Sequence, residues 1–164
     1  WLQAPADHSE RVLKYCCSMQ QDEDTIHVFI RHMSGDESIQ LQIAPQTTTY
    51  GLKMLIAQQW GIPEIFQQLV SGTAILQDHD SLVAIMKGDE DSLHITMILS
   101  LYGAQQDLAS GQRQKQCRAL QSFGKLGRKA GPDAITAVVA CLEETDMAVR
   151  REAVEALKAL AEKG

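Results

Sequence analysis

Apolar and polar residues alternate along Ile26-His27-Val28-Phe29-Ile30-Arg31, which puts Val28 and Ile30 on one side of a strand. The polar stretch Ser34-Gly35-Asp36-Glu37 supplies the glycine that a tight hairpin often requires. Residues 38–43 alternate again and gather Ile39, Leu41 and Ile43 on one face, so a β-hairpin with one apolar side is predicted. Pro45 stops the strand because it has no N–H for the ladder. Thr48 suits the N-cap of a helix running to about Trp60, with Leu52, Leu55, Ile56 and Gln59 on adjoining turns, so that one stripe covers the hairpin. Gly61 fits a left-handed C-cap, and Pro63 lies just beyond it. Gln68-Leu69-Val70-Ser71 reads as a short strand turned by Gly72-Thr73, and residues 82–86 as a helical turn. A last strand over residues 93–99 points Leu93, Ile95, Met97 and Leu99 inward.

The period changes from two to 3.6 in the C-terminal third. Residues 112–129 place Cys117, Leu120, Phe123 and Leu126 on one helical stripe. Gly131-Pro132-Asp133 breaks that helix, and Pro132 fits the first turn of the next. The second stripe is expected to hold Ile135, Val138, Val139 and Leu142. Asp146 caps a third helix with Val149, Val154, Leu157 and Leu160 apolar. Upstream, Ser9 is a fit cap for a short helix carrying Val12, Leu13, Cys16 and Met19, followed by the polar run Gln20-Gln21-Asp22-Glu23-Asp24. The expected organisation is an N-terminal helix and linker over 1–25, a small domain over 26–102, a linker over 103–111 and helices over 112–164.

Hairpin, helix, short strand, turn and final strand, with one helix on one sheet, make a β-grasp arrangement of the α+β class. Residues 26–31, Gly61-Ile62-Pro63, Gln68-Leu69-Val70, Ile75-Leu76-Gln77-Asp78 and Ser92-Leu93-His94-Ile95 resemble ubiquitin. Residues 146–157 resemble the second helix of a HEAT-type repeat, and Leu120-Gln121-Ser122-Phe123-Gly124-Lys125-Leu126-Gly127 looks like the end of an earlier one. The resemblance therefore implies a ubiquitin-like domain followed by a small all-α HEAT-like helical hairpin, about one and a half repeats. A solenoid usually needs at least about three repeats to bury its faces. The expectation is thus a longer array, or faces docked on another subunit or on the ubiquitin-like domain.

Ubiquitin-family domains act chiefly by being bound through an apolar patch on the sheet. Carried onto this chain, the patch is Met33, Val70, His94 and Thr96, with Thr96 standing where ubiquitin has an apolar residue. The di-glycine tail of a conjugated modifier is missing, since Leu101-Tyr102-Gly103-Ala104 runs on into further chain. An embedded domain, rather than a modifier, is implied.

Net charge is −6, but its sign is uneven. Acids exceed bases before Leu101, whereas bases exceed acids after Leu108, which suggests a boundary near residues 103–111. Arg113, Lys115, Arg118, Lys125, Arg128 and Lys129 fall in one stretch without an acid and form a basic contact surface. With no interleaved aromatic set in that stretch, a solvated face or an acidic partner is favoured over nucleic acid. Cys16, Cys17, Cys117 and Cys141 match no zinc or dithiol spacing, so reduced thiols in a cytoplasm, nucleus or organelle interior are expected. Trp1 in first position fits a processed chain or a piece of a longer one.

A search for catalytic groups returns little. The histidines, His8, His27, His32, His79 and His94, show no H-x-x-x-H or H-E-x-x-H spacing, and no phosphate loop or G-x-S-x-G is present. Asp78-His79-Asp80 lies in a turn, where polar residues belong, and Asp89-Glu90-Asp91 lacks calcium-loop spacing. The sequence reading is a non-catalytic adaptor or scaffold, without cofactor or small-molecule substrate, that binds proteins through the sheet face and the helices. Beside it stand a structural accessory subunit of a large multiprotein complex and, third, nucleic-acid binding through the basic helix.

Overall fold

In a computed structural model, residues 25–35, 37–86 and 92–162 are described. The expected helix near Ser9, the Cys16-Cys17 pair and the acidic run 89–91 lie outside them. The elements are β1 (Ile26–His32), β2 (Ser38–Ile43), α1 (Thr49–Trp60), β3 (Gln67–Ser71), β4 (Ala74–Ile75), α2 (Leu82–Ile85) and β5 (Ser92–Leu99). Four helices follow: α3 (Tyr102–Ala109), α4 (Arg113–Leu126), α5 (Gly131–Ala140) and α6 (Met147–Glu162).

The sheet runs β2-β1-β5-β3-β4. β1 and β5 are parallel neighbours, whereas β2, β3 and β4 join antiparallel. Val28, Ile30, Leu69, Leu93, Ile95 and Met97 point to the covered side, where Leu52 and Ile56 of α1 are fully buried. Leu55 is half-buried and Gln59 exposed, so the helix stripe is narrower than the sequence suggests.

The caps hold α1 as expected. Thr48 accepts the Gly51 N–H through its hydroxyl at 3.2 Å. Gly61 closes the helix at φ 65° with its N–H on the Ala57 carbonyl, a left-handed conformation that costs a residue with a Cβ. Gln67 is buried and donates to the carbonyls of Ile62 (2.7 Å) and Lys53 (3.0 Å), tying β3 to α1. Lys53 in turn meets Asp78 at 2.7 Å.

Residues 103–111, expected as a linker, are helical through Ala109. Ala104 and Leu108 are buried, and that tertiary burial makes a helix of a stretch whose own apolar stripe is thin. A Cβ on Gly103 would lie 2.8 Å from the Ile65 carbonyl oxygen, so only glycine lets α3 approach the turn at Glu64–Phe66 this closely.

The helices pack as two hairpins, α3 with α4 and α5 with α6, and α4 lies against α6. Small residues set that contact: Gly124 faces Ala156 and Ala159. On α5 the buried face is Ala134 and Val138, while Ile135 and Val139 point outward; on α6 it is Val149, Ala153, Ala156 and Leu160, with Val154 outward. The expected stripes are thus rotated toward alanines, which permit closer helix approach than branched side chains do. Asp146 accepts the Ala148 N–H at 2.8 Å, as a cap should.

The helices and the sheet unit share one core. Phe66 after α1 and Phe123 of α4 are both fully buried, with ring centroids 5.0 Å apart at 59°. The Arg118 guanidinium donates to Glu64 Oε1 at 2.7 Å, and Lys129 Nζ donates to the Trp60 carbonyl at 3.4 Å. Burial by itself raises the Glu64 carboxyl, but the Arg118 bond, a backbone amide and the charges of Arg118 and Lys125 outweigh it. The group is held below its ordinary 4.5.

Candidate functional site

The side of the sheet opposite α1 is built by alternation. Because partners directly across a ladder point the same way, the register fixes its neighbours. Phe29 stands opposite His94, and the two rings stack with centroids 5.0 Å apart at 12°. One rung further, Arg31 faces Thr96, Thr96 faces Val70, and Val70 faces Ile75. That row crosses four strands.

Met33 lies in the turn after β1, where its N–H bonds the Met97 carbonyl at 2.9 Å, and its side chain is 66% exposed. Val70, His94 and Thr96 lie on the outer face, with Met33 at the end of β1 beside it. Val70 and Thr96 are half-buried and His94 is exposed.

Sequence reasoning missed Ile75, which is 54% exposed at the sheet edge. Its signal was the turn at Gly72-Thr73, which returns the chain to pair with Val70, but a strand of two residues has no visible alternation. Phe29 and Arg31 complete the surface. Arg31 is the one formally charged side chain in the described strands, and His27 shares a 3.3 Å contact with Gln40. The face therefore offers a few apolar side chains, Val70 and Ile75 side by side among them, in a neutral-to-basic surround.

The basic residues divide between the junction and the surface. Arg118 and Lys129 hold the helices to the sheet unit, as above, while Arg113, Lys115, Lys125 and Arg128 are also exposed. Elsewhere, a groove of about 660 Å³ runs between β3–β4 and the start of α3, among them Lys53, Gln68, Ile75, Asp78 and Tyr102. Among the described residues no group of three or more His, Cys, Asp or Glu side chains is placed to hold a metal, and no helix is long and apolar enough to cross a membrane. Cys117 is half-buried and Cys141 buried, and both thiols are free. Burial, with Glu152 and Asp146 near Cys117 and Glu144 near Cys141, pushes both above the usual value.

No curated protein matches the chain. Among solved structures, "Caldiarchaeum Subterraneum Ubiquitin" is similar at 18% identity and a TM-score of 0.42, over 46% of this chain and 94% of that one. The sequence model of the Ubiquitin family matches residues 28–99, the stretch that forms the sheet and α1. With the β2-β1-β5-β3-β4 order and the single covering helix, that match shows that the chain carries a ubiquitin-like domain, with helices following it.

Proposed function

We propose that this chain is a non-catalytic protein-interaction module, an adaptor whose docking surface is the outer face of the ubiquitin-like sheet. The observation that carries the reading is the row Arg31–Thr96–Val70–Ile75, flanked by Met33 and by the Phe29–His94 stack. These side chains lie on the side that α1 leaves uncovered. Grouped apolar residues there supply the anchors a partner buries, and Arg31 supplies a polar rim contact.

We read α3–α6 as a pair of HEAT-like hairpins that carry the domain. A shift of 34 residues superposes Ala119 on Ala153 and Leu126 on Leu160, all buried. The same shift brings Gln116 onto Arg150. Gln116 donates to the Leu108 carbonyl at 3.0 Å, and Arg150 to the carbonyls of Glu144 and Thr145 at 2.7 Å each. Each ties the first turn of one helix to the chain just before it. The second reading, an accessory subunit of a larger complex, draws on Ile135, Val139, Met147 and Val154, apolar and exposed on α5 and α6.

The test is affinity capture of the tagged native chain followed by mass spectrometry, comparing wild type with Val70→Asp and Ile75→Asp. Ile75 is exposed and Val70 is half-buried on the outer face, away from the core, and circular dichroism checks that both variants keep the fold. One set of partners lost from both variants supports the adaptor. Identical recovery from all three assigns binding to the helices and overturns the sheet-face reading.

A further inference from the structure

The groove between β3–β4 and the start of α3 begins at an open strand edge, since β4 ends the sheet. The Leu76 N–H bonds the Leu69 carbonyl at 2.9 Å and Ser71 pairs with Ala74. Ile75, opposite Val70, therefore turns its own N–H and C=O away from β3. Among the described residues, only the side-chain amide of Gln77 comes near that carbonyl, at 3.5 Å. Ile75 and Tyr102 both line the groove and both are exposed.

The polar part of the lining is rich in acceptors. Gln67 stands in the groove wall with 4% of its surface exposed. Its Nε2 is spent on the carbonyls of Ile62 and Lys53, while its buried Oε1 has no partner. A shielded acceptor without a donor is costly, so an N–H delivered to it gains more than one bonded at the surface. Two formal charges line the groove, Lys53 and Asp78, and they pair at 2.7 Å. The Lys53 side chain is 13% exposed and that of Asp78 61%, so the charge presented to solvent is the carboxylate. Lys53 occupies its Oδ1, which leaves Oδ2 open. Asp80 adds a second carboxylate nearby, held by the Gln77 N–H at 2.7 Å, with the exposed His79 at 3.7 Å from it.

We propose that this groove is a binding site for an extended, arginine-bearing segment of a partner protein. The segment's backbone adds to β4 at Ile75, its guanidinium meets Asp78, and an apolar side chain lies against Tyr102. The open edge selects a chain in strand conformation, because a helix has already spent its backbone groups. The carboxylate and amide oxygens select a donor, and a guanidinium can take Asp78 Oδ2 while Lys53 keeps Oδ1. The site is distinct from the outer face of the sheet, with which it shares Ile75.

The experiment uses the full chain and a fluorescein-labelled peptide of about nine residues, Thr and Val around one central Arg, read by anisotropy. One counterpart carries Gln for Arg, and another carries N-methyl groups on the residues flanking Arg, which removes the strand donors. The Arg peptide should bind about tenfold more tightly than the Gln peptide, and N-methylation should weaken it by a similar factor. Asp78→Asn should erase the advantage of Arg over Gln, and Tyr102→Ala should weaken both peptides. Val70→Asp should change neither, which keeps this site apart from the sheet face. In isotope-labelled protein the side-chain amide resonances of Gln67 should move as the Arg peptide is added. Should Asp78→Asn unfold by circular dichroism, Tyr102→Ala, at an exposed position, carries the test alone. Equal binding of the Arg and Gln peptides, an N-methylated peptide that binds like its parent, or no effect of Tyr102→Ala overturns the proposal. So does loss of the Arg peptide from Val70→Asp, since that assigns the peptide to the sheet face.

Discussion

Truncating Phe123 to alanine tests whether the helices and the ubiquitin-like domain are energetically one unit. Phe123 and Phe66 are fully shielded from solvent and their rings meet at 5.0 Å, so deletion of one ring leaves a cavity that α4 cannot easily close. A fully buried Phe→Ala change costs about 3–5 kcal/mol, of which the ring pair supplies ~0.5–1.5 kcal/mol. Against a total stability of about 5–15 kcal/mol this is large, and with a urea slope of about 1–3 kcal/mol per molar it lowers the midpoint by roughly 2 M. The assay is urea unfolding in a Trp1→Phe background, so that Trp60 alone reports by fluorescence. Trp60 closes α1, and its ring meets His32 edge-on at 5.8 Å, so it senses the ubiquitin-like domain. Far-ultraviolet circular dichroism reports the helices in the same samples. Both probes should shift together, and Phe66→Ala should be strongly non-additive with Phe123→Ala. A Trp60 transition that keeps its wild-type midpoint while the helical signal melts earlier would refute the shared core.

Arg118→Ala should cost at most about 1 kcal/mol, because its side chain is largely exposed and solvent screens the pair. Since the Glu64 carboxyl is depressed in the folded state, that contribution is present above its unfolded value. It fades as pH falls below about 4.5, so wild type and variant should converge in acid melts. Gly103→Ala gains helix propensity but drives a methyl to 2.8 Å from the Ile65 carbonyl, and should lose about 1–3 kcal/mol by denaturation. Gly61→Ala, strained at φ 65°, should cost about 1 kcal/mol in the same assay. Cys117 and Cys141 should alkylate slowly at neutral pH and react at the rate of a free thiol only after unfolding, as followed by mass spectrometry.

The hairpin and α1 were legible because each signal in them is local: alternation in β1 and β2, the hydroxyl of Thr48, the missing Cβ of Gly61. The outer-face residues Val70, His94 and Thr96 came instead from the resemblance to ubiquitin, and the strand register places them together on that face. Ile75 was missed, since β4 is two residues long and its direction is set by pairing with Val70. Residues 102–109 hid their helix because only Ala104 and Leu108 face the core, a pair too sparse to stand out beside Gly103. On α5 and α6 the expected stripes were right at Val138, Val149 and Leu160, which are buried, but they also took in Ile135, Val139 and Val154, which are exposed. In place of those three, packing selected Ala134, Ala153 and Ala156, since closeness of the helix axes outweighs the size of one side chain. The junction was illegible for a different reason. Phe66 and Phe123 are 57 positions apart in the chain, and nothing local to either announces the other.

The parallel pairing of β1 with β5 has a mechanical meaning. Drawing the start of β1 and the end of β5 apart along the strands loads the bonds of that ladder, from His27–Ser92 to His32–Met97, together in shear. The hairpin β1–β2, by contrast, opens one rung at a time. The helices after β5 have no such ladder and part contact by contact. In an optical trap gripping the chain at both ends, α3–α6 should yield at low force and the sheet in one later, larger event. The outer face of the sheet, the docking surface proposed above, lies on the stiffer unit and should stay intact while the helices give way.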